Sequence, residues 1–174
     1  MRERVTAYIA LGANLGDPVA SVRKAMEDIA ALDGVALQKR SSLYRSAPLA
    51  SSGPDYINAV VEVSTRLNAP VLLSALQQIE QRAGRERPYP NSPRTLDLDL
   101  LIYGSAGIDS ATLVLPHPRM LARAFVLLPL FEVAPQCVTA AQLQAVKTQA
   151  ITRICSVIGD PDPQSGTGIP LDRG

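Results

Sequence analysis

The sequence predicts an α+β fold, a sheet with helices on one face. Three observations lead there. Strand-like apolar runs and helical repeats follow one another in the order β-α-β-β-α-β. The chain has 174 residues, of which 47% are hydrophobic, enough to bury one core without disulfide staples. Its densest apolar run, Ala124 to Phe131, is far too short to span a bilayer.

Val5 to Leu11 is a short apolar run that reads as a buried strand. Gly12, Asn14 and Gly16 then read as a turn, and Asp17-Pro18 as an N-cap followed by the first helical residue. Val22, Met26 and Ile29 share one face of that helix, which Asp33-Gly34 ends. Val35 to Tyr44 reads as a second strand. A Ser-, Gly- and Pro-rich loop, Ser46 to Asp55, leads to a third strand, Tyr56 to Thr65. Asn68 caps a helix in which Leu72, Leu76, Ile79 and Ala83 recur at helical spacing and which Gly84 closes. A fourth strand is expected over Thr95 to Tyr103 and a short fifth over Leu113 to Leu115. Pro116-His117-Pro118 opens a mostly helical segment ending near Ala134, and a weaker helix is expected within 140–158. Residues 1–158 read as a single domain. Residues 159–174 hold too little apolar content to pack and read as a mobile tail.

The formal charge is +1, from 17 basic and 16 acidic residues, so no global field draws the protein to nucleic acid or an anionic membrane. Any phosphate affinity must be local. The two cysteines, Cys137 and Cys155, suit neither a metal cluster nor a disulfide scaffold, and point to a reducing cytoplasm. No secretory signal precedes the first strand.

The chemistry gathers between Arg85 and Leu101. Arg85, Arg87 and Arg94 sit among Pro88, Pro90 and Pro93, a loop whose side chains must do most of any anion binding because proline lacks an N–H. Asp97 and Asp99 follow, two apart on a strand, so both leave the same face while Leu96, Leu98 and Leu100 line the other. Their carboxylates start roughly 6.6 Å apart, at about 3.3 Å per residue. Two hard oxygen ligands with no second histidine nearby favour Mg²⁺ over zinc. Alone, the pair also fits a solvent-facing strand, and the arginines a solvated loop. His117, the only histidine, stands between two prolines with Arg119 and Arg123 beyond it, and could donate to a phosphate. Tyr56, Asn58 and Phe125 could sandwich a flat heterocycle and read its edge. The residues leave open a metal-dependent nucleotidyl- or glycosyltransferase, and charge and strand composition do not support a nucleic-acid-binding module.

Six blocks in order, YIALGANLGDP, SSLYRSAPL, GPDYINAVV, LLSALQQIEQRAGR, SPRTLDLDLLIYG and LPHPRMLARAFVLLPLFEVAP, resemble the 6-hydroxymethyl-7,8-dihydropterin pyrophosphokinases of folate biosynthesis. The resemblance covers nearly the whole chain to about Ala134. It implies a ferredoxin-like α+β fold, an antiparallel sheet with helices packed on its faces. It also implies transfer of the β,γ-pyrophosphoryl group of ATP to the pterin hydroxymethyl oxygen, releasing AMP. By the same resemblance Asp97 and Asp99 would bind two Mg²⁺ ions, and Arg85 and Arg94 would stabilise the transferring group. Gln77, Glu80, Arg87, Leu100, His117 and Arg123 would lie on the nucleotide side. Tyr56 and Phe125 would stack on the pterin, with Asn58, Ser46, Pro48 and Leu49 reading its edge. Many relatives carry a tryptophan in the arginine loop; this chain has none, and Tyr89 is the nearest substitute. The expected partners are ATP and the pterin, with no nucleic acid or membrane, for a cytoplasmic monomer.

Overall fold

A computed structural model describes residues 2–48, 53–84 and 96–155. Its elements are β1 (Val5–Ala13), α1 (Pro18–Ala30), β2 (Val35–Arg40), β3 (Leu43–Ser46), β4 (Tyr56–Thr65), α2 (Ala69–Gly84), β5 (Asp97–Tyr103), β6 (Ile108–Asp109), β7 (Val114–Leu115), α3 (Ala124–Val133), α4 (Ala140–Ala145) and β8 (Ile151–Cys155). The main sheet runs β5-β1-β4-β3-β8, with β2 also on β4, and all its pairings are antiparallel. β6 and β7 form a separate two-stranded ribbon. No helix among the described residues is long and apolar enough to cross a membrane.

Strand alternation divides the interior into two cores. Ala7, Ile9 and Leu11 of β1 face α1 and α2, meeting Val22, Met26, Ile29, Leu72, Leu76 and Ile79. Tyr8 and Ala10 face the other way, toward Val126, Leu127, Leu130 and Val133 of α3. The helices therefore cover both faces, where element order alone suggested one. α3 is apolar on nearly every side, so its periodicity could not say which surface it packs on. Full burial of each Leu or Ile in these cores stabilises the fold by about 1.5–3 kcal/mol. The caps read from sequence are present: Asp17 accepts from Ala20 N–H at 3.1 Å and Asn68 from Val71 N–H at 2.9 Å.

Three sequence expectations need correction. The strand expected over 35–44 is two strands, β2 and β3, broken at Ser41-Ser42. Both serines are buried. Ser41 Oγ accepts from Val60 N–H at 2.9 Å and donates to Ser42 C=O at 2.8 Å, while Ser42 N–H and Oγ–H both go to Glu132 Oε1, at 2.9 and 2.6 Å. Ser41 N–H still donates to Val60 C=O at 2.9 Å, but the return bond goes to the hydroxyl, and the register along β4 shifts between β2 and β3. The helix expected within 140–158 stops at Ala145, and Ile151–Cys155 becomes edge strand β8 on β3. Ile151, Thr152 and Ile154 are β-branched and fit the open edge better than a helix. Finally, β1 continues through Ala13, so Gly12 lies in a strand; the positive φ of the following turn belongs to Gly16. The fourth strand begins at Asp97. The tail expected over 159–174 lies outside the described residues.

Two buried tyrosines donate to carboxylates, Tyr44 linking β3 to α3 and Tyr8 bracing β1 against β4. Tyr44 O–H donates to Glu132 Oε2 at 2.7 Å, and Tyr8 O–H to Glu62 Oε2 at 3.0 Å. Burial first, then the facing carboxylate, pushes both phenols above their ordinary range. A folded pKa raised above the unfolded value contributes stability that is complete below about pH 10 and lost as pH rises beyond it. The urea midpoint is thus expected to fall above about pH 10, and to fall less in Tyr44→Phe. Equal alkaline losses in both proteins would rule out this role for Tyr44.

Candidate active site

One row of residues crosses the sheet on the α3 side. Gly12 of β1 pairs with Asp97 of β5 on one flank and Asn58 of β4 on the other, and Asn58 pairs with Tyr44 of β3. Asp99 stands opposite Ala10 in the next row. α3 starts only at Ala124, so it covers the Tyr8 and Val60 end of this face and leaves the Gly12 end open. The result is a cleft of about 290 Å³. Its floor is Ala10, Gly12, Asn58, Asp97 and Asp99. One wall is Ser46, Ala47, Pro48 and Tyr56, and the other is Arg123, Phe125 and Val126.

The cleft has an apolar body and a few placed polar groups, the usual build of a small-molecule site. Asn58 is only 3% exposed, and its Nδ2 donates to Ser46 Oγ at 2.8 Å and to Tyr44 C=O at 3.4 Å. With its amide hydrogens so engaged, it turns an acceptor, Oδ1, toward Gly12. The Arg123 guanidinium lies 5.4 Å from the centre of the Phe125 ring, a cation–π contact that steadies both. Gly12 keeps the floor flat: a Cβ there would stand 3.5 Å from Asn58 Oδ1, in ordinary contact but inside the cleft.

Asp97 and Asp99 are exposed while Leu96, Leu98 and Leu100 are buried, as strand alternation dictates. No cluster of three or more His, Cys, Asp or Glu stands ready to hold a metal among the described residues. Two carboxylates alone suit Mg²⁺, which keeps waters and takes further oxygens from a phosphate ligand.

A second cavity, about 270 Å³, opens beside β5, the outermost strand, and shares Asp99 with the first. Leu73 of α2, Leu98, Leu100, residues 110–114, His117 and Pro118 line it. His117 N–H donates to Leu101 C=O at 2.8 Å, and its Nδ1 accepts from Arg119 N–H at 3.2 Å. Burial pushes its pKa down against the pull of Asp99, with Arg123 and Arg119 adding to the fall. The imidazole is therefore neutral near pH 7, and with Nδ1 accepting, Nε2 carries the proton and is a donor.

The first cleft thus gathers Ser46, Pro48, Tyr56, Asn58, Asp97, Asp99, Arg123 and Phe125, while His117 and Leu100 join Asp99 in the second. The Leu100 side chain belongs mainly to the core. Gln77 and Glu80 lie further along α2 than Leu73 and line neither cavity. Arg85, Arg87, Arg94 and Leu49 lie outside the described residues. Gly12, Leu73 and residues 110–112 line the cavities without having been singled out as site residues by the sequence. Gly12 carries a signal, since glycine inside a strand pattern often marks the close approach of a ligand.

Fold and cleft together describe an antiparallel α+β protein with an apolar-walled cleft that opens onto two carboxylates. Solved structures share this fold. The HPPK-DHPS crystallised in complex with substrates matches with a TM-score of 0.61 at 12% identity, over 82% of this chain and 43% of that one. Plasmodium falciparum HPPK-DHPS with pterin and p-hydroxybenzoate gives 0.57 at 12% identity, over 78% of this chain and 40% of that one. The chain belongs to the 7,8-dihydro-6-hydroxymethylpterin-pyrophosphokinase (HPPK) family, whose model matches residues 8–135. Similar proteins are the 2-amino-4-hydroxy-6-hydroxymethyldihydropteridine pyrophosphokinases of Haemophilus influenzae, 45% identical over 77% of this chain and 84% of that protein, and of Bacillus subtilis, 41% identical over 75% and 78%.

Proposed function

We propose that this protein transfers the β,γ-pyrophosphoryl group of ATP to the hydroxymethyl oxygen of 6-hydroxymethyl-7,8-dihydropterin, releasing AMP, in folate biosynthesis. The observation that carries the reading is the meeting of two cavities at Asp99, one walled by Tyr56 and Phe125 and one lined by His117. A pterin between Tyr56 and Phe125 would present its N–H edge to Asn58 Oδ1. A nucleotide in the second cavity would offer a phosphate oxygen to His117 Nε2–H, with Arg123 supplying positive charge between the sites. Phosphoryl-type transfer needs alignment and charge stabilisation more than covalent help from the protein.

Asp97 and Asp99 are the residues that would hold Mg²⁺, two ions in our reading; bound there, the metal neutralises polyphosphate charge and lowers the hydroxyl's pKa. The family resemblance supports Arg85 and Arg94 as stabilisers of the transferring group, with Arg87 a secondary contact and Gln77 and Glu80 toward the nucleotide. The near-zero net charge supports small-molecule partners over nucleic acid for a cytoplasmic monomer. The decisive experiment incubates the protein with ATP, Mg²⁺ and the pterin and separates the nucleotides. AMP is expected; ADP would refute the assignment.

A second expectation follows from the flat floor. In Gly12→Val the backbone keeps its strand, but the branched side chain fills the space above it. Pterin affinity should fall at least about tenfold, read by pterin fluorescence, since overpacking costs about 1–3 kcal/mol and about 1.4 kcal/mol is tenfold. Unchanged pterin binding would place the pterin elsewhere.

A further inference from the structure

Gln149 lies beyond residue 135, where the family match ends, yet it grips the helix that forms one wall of the cleft. Its Oε1 accepts from Ala124 N–H at 2.9 Å, and its Nε2 donates to Ala122 C=O at 2.8 Å. Those groups flank Arg123, which caps α3 with extended backbone (φ −126, ψ 114) and makes no side-chain cap of its own. The first turn of α3 is thus capped from outside, by an amide that satisfies one donor and one acceptor together.

Two residues later, Ile151 pairs with Ser46 on β3. Ser46 holds the Asn58 amide at 2.8 Å and belongs to the opposite wall. Val146, 2% exposed, anchors the chain just before Gln149, and Ile151 packs against the same core. Residues 149–151 therefore tie the helix wall to the strand wall across at most about 7 Å of chain.

We propose that this segment is a strap setting the gap between Phe125 and Tyr56, and that Gln149 is a positioning residue for the pterin. The inference rests on the cleft being the pterin site. A ring stacked between two aromatic faces needs each at about 3.5–4.0 Å, and widening by about 0.5–1 Å forfeits a quarter to a half of the attraction. Gln149 itself touches no reacting group. It acts through Arg123 and Phe125.

The test compares Gln149→Ala and Gln149→Glu with Gln142→Ala. The last breaks the Thr139–Gln142 capping box of α4, away from the cleft. Kinetics with pterin and with ATP, pterin affinity and thermal midpoint are measured for each. Gln149→Ala should raise the pterin KM and Kd about tenfold while ATP KM stays within about twofold. Gln149→Glu keeps an acceptor for Ala124 N–H and should recover part of the loss. Gln142→Ala should lower the midpoint without changing pterin affinity. A fall in midpoint alone for Gln149→Ala, or equal losses for pterin and ATP, overturns the strap. Gly12→Val separates the two ideas. If it destroys pterin binding while Gln149→Ala has no effect, only the strap fails. If it leaves binding intact, the cleft reading fails first.

Discussion

Replacing Asp97 or Asp99 by alanine is expected to lower turnover by about 10³-fold or more without unfolding the protein. Both carboxylates are exposed on the sheet surface and neither belongs to the two hydrophobic cores, so the fold survives their loss. What is lost is negative charge on the cleft floor, which for Asp99 lies where the two cavities meet. Far-ultraviolet circular dichroism and thermal midpoint should match the parent. Titration with Mg²⁺ and a non-hydrolysable ATP analogue should show weakened binding. Asp99→Ala should weaken it more, because Asp99 lines both cavities and Asp97 only the first. A double mutant that stayed active and indifferent to metal would sink the proposed metal role.

The second large effect is expected at Asn58. In Asn58→Ala the cleft loses its buried acceptor, and Ser46 Oγ and Tyr44 C=O lose their donor. A site built to hydrogen-bond a ligand discriminates strongly when that partner is removed. The expected fall in kcat/KM for pterin is about 10²–10³-fold, with the ATP KM within about twofold. A modest drop in thermal midpoint should accompany it, because buried polar groups are left unpaired. Equal losses for both substrates would mean that Asn58 is structural scaffolding for the whole sheet.

Much of this site is legible in the amino-acid sequence. The period of two puts Asp97 and Asp99 on one face and their leucines on the other, which depends only on strand geometry. Asp17-Pro18 and Asn68 mark helix starts because capping is a contact within a few residues. Tyr56, Asn58 and Phe125 group together by chemistry, and the fold brings them to one cleft. Gly12 reads as part of a turn although it lies in β1, since a glycine that flattens a strand floor looks like one that bends a chain. The Ser41-Ser42 break has no local signature because its cause, Glu132, lies 90 residues along the chain from Ser42.

Local chemistry thus wrote β1, β4, the helix caps and the paired carboxylates into the chain by itself, since each depends on neighbours within a turn or a pleat. Only the tertiary structure decided that α3 lies on the carboxylate side of the sheet and stops short of Gly12. Only it decided that the segment after Ala145 leaves the helix to brace that opening with Gln149 and Ile151. An all-round apolar helix carries no directional signal, and an open sheet edge competes with weak helix propensity only once the sheet exists. The cleft is the part of the sheet face that α3 does not cover, and no local pattern records where a distant helix begins.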